Sequence, residues 1–464
     1  MQRHHSAVQP TPTSGERRNT MLEHPPHFRR TTTTLLALLS VMWLPGLAHA
    51  GNEEGVLIGN ESAITGGAVT AVVADGSAGW YNPAGIAQVD RNQVDVSGSA
   101  TQLRLAATPQ LLQSASGQSV DGGYYELNGI PSSVTIARRL EAGLVLSLGV
   151  FVPSLVGHTD RVRLTEQDPM GNATNWQLVQ QENTQSYYAG LTLGIVLASN
   201  LRVGFTVYGL YRQTTVVSQF FGGSDGLFIT GVSSLLSLQS AGVELGGGLQ
   251  WEIIPGLHLG ISVRTPALQL GSLYRRTETR LAAGAGEIFF EPIDESGLEP
   301  RAEIITPARV RMGLAWRFAR GWVGIDADVS HELNLPEFGI DRAWVVNVRA
   351  GGRYNVDDNV SVGGGLFTDL SSVREIRTYG ETSIDYLGGA FGAELRTPHA
   401  LGEGEQAATL VFAQTFALRY AYGQGSIGGL RFDVGQPENA EVSVITTQTT
   451  VHELSLYLGS ALYF

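Results

Sequence analysis

Apolar and polar residues alternate along most of the chain from residue 92 onward. Between residues 309 and 318 every even-numbered residue is apolar, whereas the odd-numbered positions carry arginine, glycine or alanine. Successive side chains of a β-strand point to opposite faces, so a period of two predicts strands with one apolar and one polar face. Fourteen such segments are bounded by turn-forming residues. They are 92–105, 131–139, 143–156, 184–198, 201–218, 237–253, 257–281, 306–318, 321–333, 343–355, 359–371, 383–396, 406–423 and 447–464.

Alternation alone fits a soluble sandwich, with its apolar face inward, or a transmembrane barrel, with its apolar face toward lipid. Three features favour the barrel. An even number of strands lets an antiparallel sheet close with both ends on one side. Short connections alternate with long ones, as in outer-membrane barrels, although 397–405 is longer than the other short ones. The chain also ends in a strand whose last residue is Phe464, an ending that resembles the assembly signal of such barrels. We therefore predict an all-β fold, a closed antiparallel transmembrane β-barrel of about 14 strands.

The composition agrees with this prediction. The chain has 464 residues, of which 16% are charged, whereas soluble domains carry about 25%. All basic residues are arginine, and the net charge of −13 argues against a nucleic-acid partner. The chain has no cysteine, so no disulfide framework is expected.

The N-terminus has the three-part order of an export signal. Arg29 and Arg30 precede an apolar stretch at 35–47, which ends in the small-residue sequence Ala48-His49-Ala50. An anchor helix is the alternative, but the apolar stretch is shorter than the ~20 residues that span a bilayer. We predict an N-terminal extension and cleavable signal peptide at 1–50, an N-terminal segment and hatch at 51–91, and the barrel at 92–464. Translation from Met21 is a second possible start.

Residues 66–87 are rich in glycine and alanine and contain the turn-forming pair Asn82-Pro83. A fourteen-stranded barrel is too wide for its own side chains to fill. We therefore expect this compact, irregular stretch to plug the lumen.

The same stretch resembles the hatch of the FadL family of outer-membrane transporters. The resemblance lies in Ala74-Asp75, Ser77, Trp80-Tyr81 and Asn82-Pro83-Ala84-Gly85. Less specific similarities occur at 148–153, 263–266 and 307–316. The resemblance implies passive uptake of long-chain fatty acids or aromatic hydrocarbons, with lateral exit through the barrel wall. The resemblance also implies five residues that determine the structure of the hatch: Asp75, Asn82, Pro83, Ala84 and Gly85.

Pro153 lies in the third predicted strand, where the family carries a kink in its wall. Proline removes a ladder hydrogen bond and bends a strand. Pro153 therefore either forms a lateral gate or ends the strand at the rim.

Inward-facing charges alternate in sign on three consecutive strands. One of these arginines could hold a carboxylate head group, or the charges could pair with one another and with the hatch, because buried charges need partners. The candidates are Arg309, Arg311, Arg317, Asp326, Asp328, Arg349 and Arg353.

Two predicted long loops contain aromatic residues. Exposed aromatics there could capture an apolar ligand, or they could pack against one another or mark the membrane boundary. They are Phe220, Phe221, Phe228, Phe289 and Phe290.

The sequence offers little support for catalysis. No histidine has metal-ligand spacing, and no nucleophile or phosphate motif occurs. A lipase would need a Ser–His pair, for which His452 is the candidate. We therefore expect a protein that is not an enzyme and that binds no metal or cofactor.

Two hypotheses for the function remain. The protein is either a transporter or a FadL-like barrel that acts as a scaffold for secreted or surface proteins. The expected partners are a hydrophobic small-molecule ligand, outer-membrane lipid and the barrel assembly machinery, with a monomeric barrel in the bacterial outer membrane.

Overall fold

The structure is a computed structural model. It describes residues 52, 55–114, 116–141, 143–167, 173–224, 228–284, 287–299, 306–335, 340–401, 408–433 and 441–464. The predicted export signal lies outside these residues, and so does the side chain of Phe228.

Eighteen strands and three short helices make up the described part of the chain. The helices are α1 (Asn60–Thr65), α2 (Ala78–Tyr81) and a 3-10 helix (Pro83–Gln88). The strands are β1 (Gln93–Ser114), β2 (Ser119–Glu141), β3 (Leu144–Gln167), β4 (Ala173–Ala198), β5 (Leu201–Ser224), β6 (Phe228–Ile254), β7 (Leu257–Arg264), β8 (Leu268–Gly284), β9 (Glu287–Glu299), β10 (Arg309–Phe318), β11 (Gly321–Ser330), β12 (Leu333–Leu335), β13 (Ile340–Arg342), β14 (Val345–Asn355), β15 (Val360–Asp369), β16 (Thr382–Leu401), β17 (Ala408–Asp433) and β18 (Glu441–Tyr463).

The main sheet closes on itself. It contains 16 strands, of which β8 and β9 branch from β6 as a hairpin, and the remaining fourteen form a ring. β1 pairs antiparallel with β18, with Val94 opposite Leu462, and β5 pairs with β6. The predicted closed barrel of about 14 strands is confirmed. Because β1 pairs with β18, the ring has no terminal edge strand, which matters because lipid cannot satisfy unpaired backbone groups.

The apolar faces point outward. On β10, Leu314 and Trp316 are 43% and 47% exposed, whereas Arg311, on the opposite face, is 2% exposed. The neighbouring strands repeat this arrangement, since Ile325 is exposed and Asp326 is buried. No helix in the described residues is long and apolar enough to cross a membrane.

The strands differ in length around the ring. β7, β10, β11, β14 and β15 have 8–11 residues, close to the ~9–11 that cross a bilayer. The other nine have 20–27 residues. We call the end with the short turns and Phe464 the near end, and the opposite end the far end. Much of what the sequence predicted as long loops is therefore strand that extends the wall at the far end.

The prediction of a single strand at 257–281 is wrong. β7 ends at Arg264, and β8 begins at Leu268 and pairs with the far half of β6. Pro266 lies between them and cannot donate a ladder hydrogen bond, so the strand is interrupted there.

Residues 55–91, the inner segment, lie inside the ring. α1 contacts β14 to β18, and the 3-10 helix contacts β3 to β6 on the opposite side. A segment that touches both sides of a closed ring must cross its interior. Its apolar side chains, such as Ile58 and Val69, are fully buried with wall residues such as Phe151 and Trp322.

Candidate functional site

Asn82 joins the two halves of the inner segment to the wall. It precedes the 3-10 helix, whose first residue is Pro83, and its Oδ1 accepts a hydrogen bond from the Ala84 N–H at 3.2 Å. Proline suits this first position because a backbone N–H there would have no helical partner, so the N–H that proline lacks is not missed. The Asn82 Nδ2 donates to the carbonyl oxygens of Thr70, at 2.9 Å, and Leu249 on β6, at 3.0 Å. Asn82 is fully buried, so the amide acts as a structural tie.

Gly85 and Asp75 shape the neighbouring backbone. A Cβ at Gly85 would clash with the Val73 carbonyl oxygen, so only glycine fits there. The Asp75 carboxylate accepts hydrogen bonds from the backbone N–H groups of Ser77, at 3.0 Å, and Glu61, at 3.4 Å. Burial raises the pKa values of both Asp75 and Glu61. The predicted hatch residues thus lie together in the lumen, with Asp75 half-buried and the other four buried, and their role in closing it stays a prediction.

Glycines line the wall where the inner segment passes. A Cβ at each of them would lie closer than 3.0 Å to an atom of the inner segment, so the missing side chains allow direct backbone contact. They are Gly194, Gly204, Gly248, Gly260, Gly313, Gly351, Gly363, Gly365, Gly392 and Gly459.

Asp328 is surrounded by three of the predicted lumen arginines. Its carboxylate lies 2.8 Å from Arg311 Nε, 3.4 Å from Arg309 Nε and 3.6 Å from Arg349 Nη1. The neighbouring Asp326 accepts a hydrogen bond from the Thr70 N–H at 2.8 Å. This cluster lies between the wall and the inner segment.

The other two predicted arginines have separate partners. Arg317 donates to the Val72 carbonyl oxygen at 3.1 Å, and Arg353 donates to Glu394 at 2.7 Å. Arg309, Arg311, Arg349 and Asp328 therefore form one contact cluster. Asp326, beside them, is tied to the inner segment.

A small pocket on the far side of the inner segment holds a buried arginine that the sequence did not single out. The Arg264 guanidinium lies 4.0 Å from the centre of the Trp80 ring and 4.5 Å from that of Tyr208. Its Nε is 2.5 Å from Glu244 Oε1. Arg264 is 6% exposed, and its Nη2 is buried without a hydrogen-bond partner among the described residues. Pro153 also lines this pocket.

One sequence signal could have identified this arginine. Gly260, Ser262 and Arg264 occupy every second position of β7, on the face that β10 shows to be inward. The aromatic residues around Arg264 come from α2, β4 and β5, so the site itself depends on tertiary structure.

The wall is interrupted beside Pro153. Pairing between β2 and β3 runs from the near end only as far as Ser133 opposite Phe151. Beyond that point β2 pairs with β1, and β3 pairs with β4 after a register shift between Phe151 and Ser154. The strands meet again where Glu126 on β2 accepts a hydrogen bond from the Gly157 N–H at 2.9 Å. The Val56 N–H of the inner segment donates to the Pro153 carbonyl oxygen at 3.3 Å, inside this interval.

The predicted aromatic capture residues differ in their exposure. Phe220 is 1% exposed and stacks on Trp176 and Phe432, so it is not available at the surface in this state. Phe221, Phe289 and Phe290 are 40%, 43% and 62% exposed. The latter two lie on the β8–β9 hairpin, away from the stack.

His452, the lipase candidate, accepts or donates a hydrogen bond with the Tyr420 hydroxyl at 2.8 Å, on the outward face. No serine in the described part of the chain forms a hydrogen bond with His452. Among the described residues, no group of three acidic or histidine side chains could hold a metal ion.

No protein-family profile matches the sequence, and no curated protein matches it significantly. Similar solved structures exist. A Pseudomonas aeruginosa FadL homologue has a TM-score of 0.56 at 11% identity, over 89% of this chain and 99% of that one. The Pseudomonas putida toluene transporter TodX gives 0.54 at 13%, and the Ralstonia pickettii toluene transporter TbuX gives 0.53 at 12%, with the same coverage. At these identities the likeness is one of fold: the chain is a closed β-barrel of the FadL/TodX type.

Proposed function

We propose that this protein is a passive channel of the bacterial outer membrane that takes up long-chain fatty acids or other hydrophobic small molecules and releases them sideways into the membrane. The far end then faces the outside and the near end the periplasm. The outward apolar band, the polar lumen and the fold of hydrocarbon channels support this assignment.

The observation that carries the proposal is the interrupted ladder beside Pro153. The interval between Ser133–Phe151 and Glu126–Gly157 adjoins the pocket that Trp80 and Arg264 line. Moving an alkyl chain from a lumen pocket into water costs about 0.8 kcal/mol per methylene. An exit through the wall into lipid avoids that cost.

The pocket favours an apolar ligand with an anionic head. The buried Arg264 Nη2 could donate a charge-assisted hydrogen bond to a carboxylate, and the aromatic rings of Trp80 and Tyr188 could contact the chain. Arg309 and Glu244 line the same pocket, and Glu244 is paired with the Nε of Arg264, so Nη2 is the arginine atom that faces a head group. A fatty acid satisfies these groups better than a neutral hydrocarbon does.

Uptake of radiolabelled oleate by cells with and without the gene tests the channel. For lateral exit, we would staple the gap with Ser132→Cys and Val152→Cys, the pair that continues the β2–β3 register. Oxidation should abolish uptake and a reductant should restore it. The control is Ile136→Cys with Leu148→Cys, which staples a part of the ladder that is already closed.

The two parts of the proposal fail in different ways. If cells with and without the gene take up oleate equally, the channel itself is excluded. If uptake depends on the gene but the stapled variant, with its disulfide formed, transports oleate at the wild-type rate, lateral exit at this gap is excluded.

A scaffold is the second candidate function. Nine tall strands and the β8–β9 hairpin build an ordered far end, and Ile288 and Phe290 are 77% and 62% exposed on that hairpin. A scaffold predicts that loss of the gene leaves oleate uptake unchanged and alters which proteins are retained at the cell surface.

A further inference from the structure

The far end of β1 leaves the barrel wall. β1 pairs with β18 up to Ala107 opposite Thr450. Residues 112–114 then pair in parallel with residues 430–432 of β17, on the edge that β16 leaves free beyond Ile427. β18 stands between β1 and β17 in the ring. Residues 111–114, here called the cap, therefore cross from one part of the wall to another over the far mouth of the barrel.

A hinge precedes the cap. Gln110 has φ of 55°, and among the described residues it is the one non-glycine with a positive φ. It follows Pro109, and the β1–β2 register shifts between Thr108 and Leu112. The Gln110 N–H donates to Asp121 Oδ1 at 2.9 Å, which holds the bend. A left-handed backbone at glutamine is strained, so the hydrogen bond to Asp121 and the contacts of the cap must offset its cost.

The underside of the cap is apolar. Leu111 and Leu112 are 1% and 0% exposed. They belong to a cluster with Trp176, Phe220 and Phe432, whose stacked rings lie 5.4–5.8 Å apart. These rings come from β4, β5 and β17. The cap and the aromatic stack together bring different sectors of the tall wall into contact across the mouth.

We propose that the cap is a hinged gate on the far mouth, and that Leu111 and Leu112 occupy the place where the apolar chain of an incoming ligand first binds. This inference rests on the proposed function for its ligand. Three residue pairs attach the cap to β17, whereas the pairing between β17 and β18 is much longer and runs from Val411 to Asp433. The cap can therefore detach from β17 while the wall stays paired. A ligand chain that replaces the two leucines on the aromatic rings would offset the cost of exposing them and would so stabilise the open state.

Because the chain has no cysteine, the gate can be locked with a single engineered disulfide. Leu112 and Leu430 are direct partners in the parallel pairing, so Leu112→Cys with Leu430→Cys is the locking pair. The control is Arg431→Cys with Ser443→Cys, which joins two strands that are already paired, at exposed positions. Oxidation of the locking pair should abolish oleate uptake reversibly, whereas the control pair should transport like wild type. A fully oxidised locking pair that transports at the wild-type rate would overturn the proposal.

A second measurement does not depend on transport. Leu112→Cys alone is reacted with a membrane-impermeant maleimide in purified protein, with and without oleate. The cap proposal expects slow labelling that oleate accelerates, while the exposed Ser443→Cys labels quickly in both conditions. If the Leu112→Cys variant stays equally unreactive with oleate, the cap does not open for this ligand, whatever the uptake results. If labelling accelerates but wild-type cells take up no oleate, the proposed function fails and the gate survives.

Discussion

The side chain of Asn82 ties the inner segment to the wall, because its Nδ2 donates a hydrogen bond to the Leu249 carbonyl oxygen at 3.0 Å. The same nitrogen reaches the Thr70 carbonyl oxygen, and Oδ1 accepts from Ala84. One buried amide therefore positions two turns of the inner segment and one strand.

Asn82→Ala should destabilise the protein and loosen the inner segment. The substitution leaves the buried Ala84 N–H without its acceptor, at about 1–3 kcal/mol, and removes one of the two side-chain donors to the Thr70 carbonyl oxygen, the other being Gln250 Nε2. We expect a lower free energy of unfolding in urea and a larger single-channel conductance in planar bilayers. Asn355→Ala is the control, because Asn355 is exposed and accepts one hydrogen bond from Ser361. Equal conductance of wild type and Asn82→Ala would show that this tie does not hold the lumen closed.

Two adjacent glycines on β6 give a matched test of the contact between wall and inner segment. A Cβ at Gly248 would clash with Asn82 Oδ1, whereas a Cβ at Gly247 meets nothing within 4 Å. Gly248→Ala should therefore cost about 1–3 kcal/mol of stability through overpacking. Gly247→Ala should be close to neutral. Unfolding in urea, followed by tryptophan fluorescence, measures both, and similar values for the two variants would contradict the placement of the inner segment.

The strand count was predictable from local sequence, because the period of two reports each strand separately. Residues 309–318 alternate so regularly that β10 was predicted at almost its observed bounds. The extension of β4 to β6 at the far end was not predictable in the same way. Residues such as Thr174 and Gln181 lie in β4 beyond the apolar band, where strands no longer need a lipid-facing side and lose their apolar alternation.

The site depends on contacts between distant residues. Phe220 was expected at the surface because it lies in a predicted long loop, yet Phe432, 212 positions later, stacks on it. The alternation along β7 could have placed Arg264 on the inward face, but its site forms only when Trp80 stacks on it. By contrast, the compact stretch around Asn82 was identifiable from composition, since its small residues suit close backbone packing.

The stability of the inner segment should depend on pH through Asp75. Burial raises the pKa of Asp75 and that of the adjacent Glu61, so the folded state binds protons more tightly than the unfolded chain, whose carboxyl pKa values are about 4. This contribution favours folding at pH below the unfolded value and is lost as the pH rises through the raised folded values. Asp75→Asn keeps an oxygen for the Ser77 N–H and removes the titration. Its free energy of unfolding should vary less between pH 4 and 8 than that of wild type, and parallel profiles would exclude Asp75 as a titrating group in this range.

Pro153 tests whether the gap in the wall is used. Pro153 lies two residues beyond the last β2–β3 pair, at Phe151, and cannot donate a ladder hydrogen bond from its own nitrogen. Pro153→Ala restores an N–H and the freedom to continue the ladder, so we expect the gap to narrow and the initial rate of oleate uptake to fall severalfold. Pro398→Ala is the matched control, because Pro398 lies in β16 opposite Val411 within a continuous ladder. Pro398→Ala should transport like wild type. Unchanged uptake by Pro153→Ala, at equal amounts of folded protein in the membrane, would mean that Pro153 only bends β3, which continues to Gln167 and does not end at a rim there, and that the ligand leaves by another route.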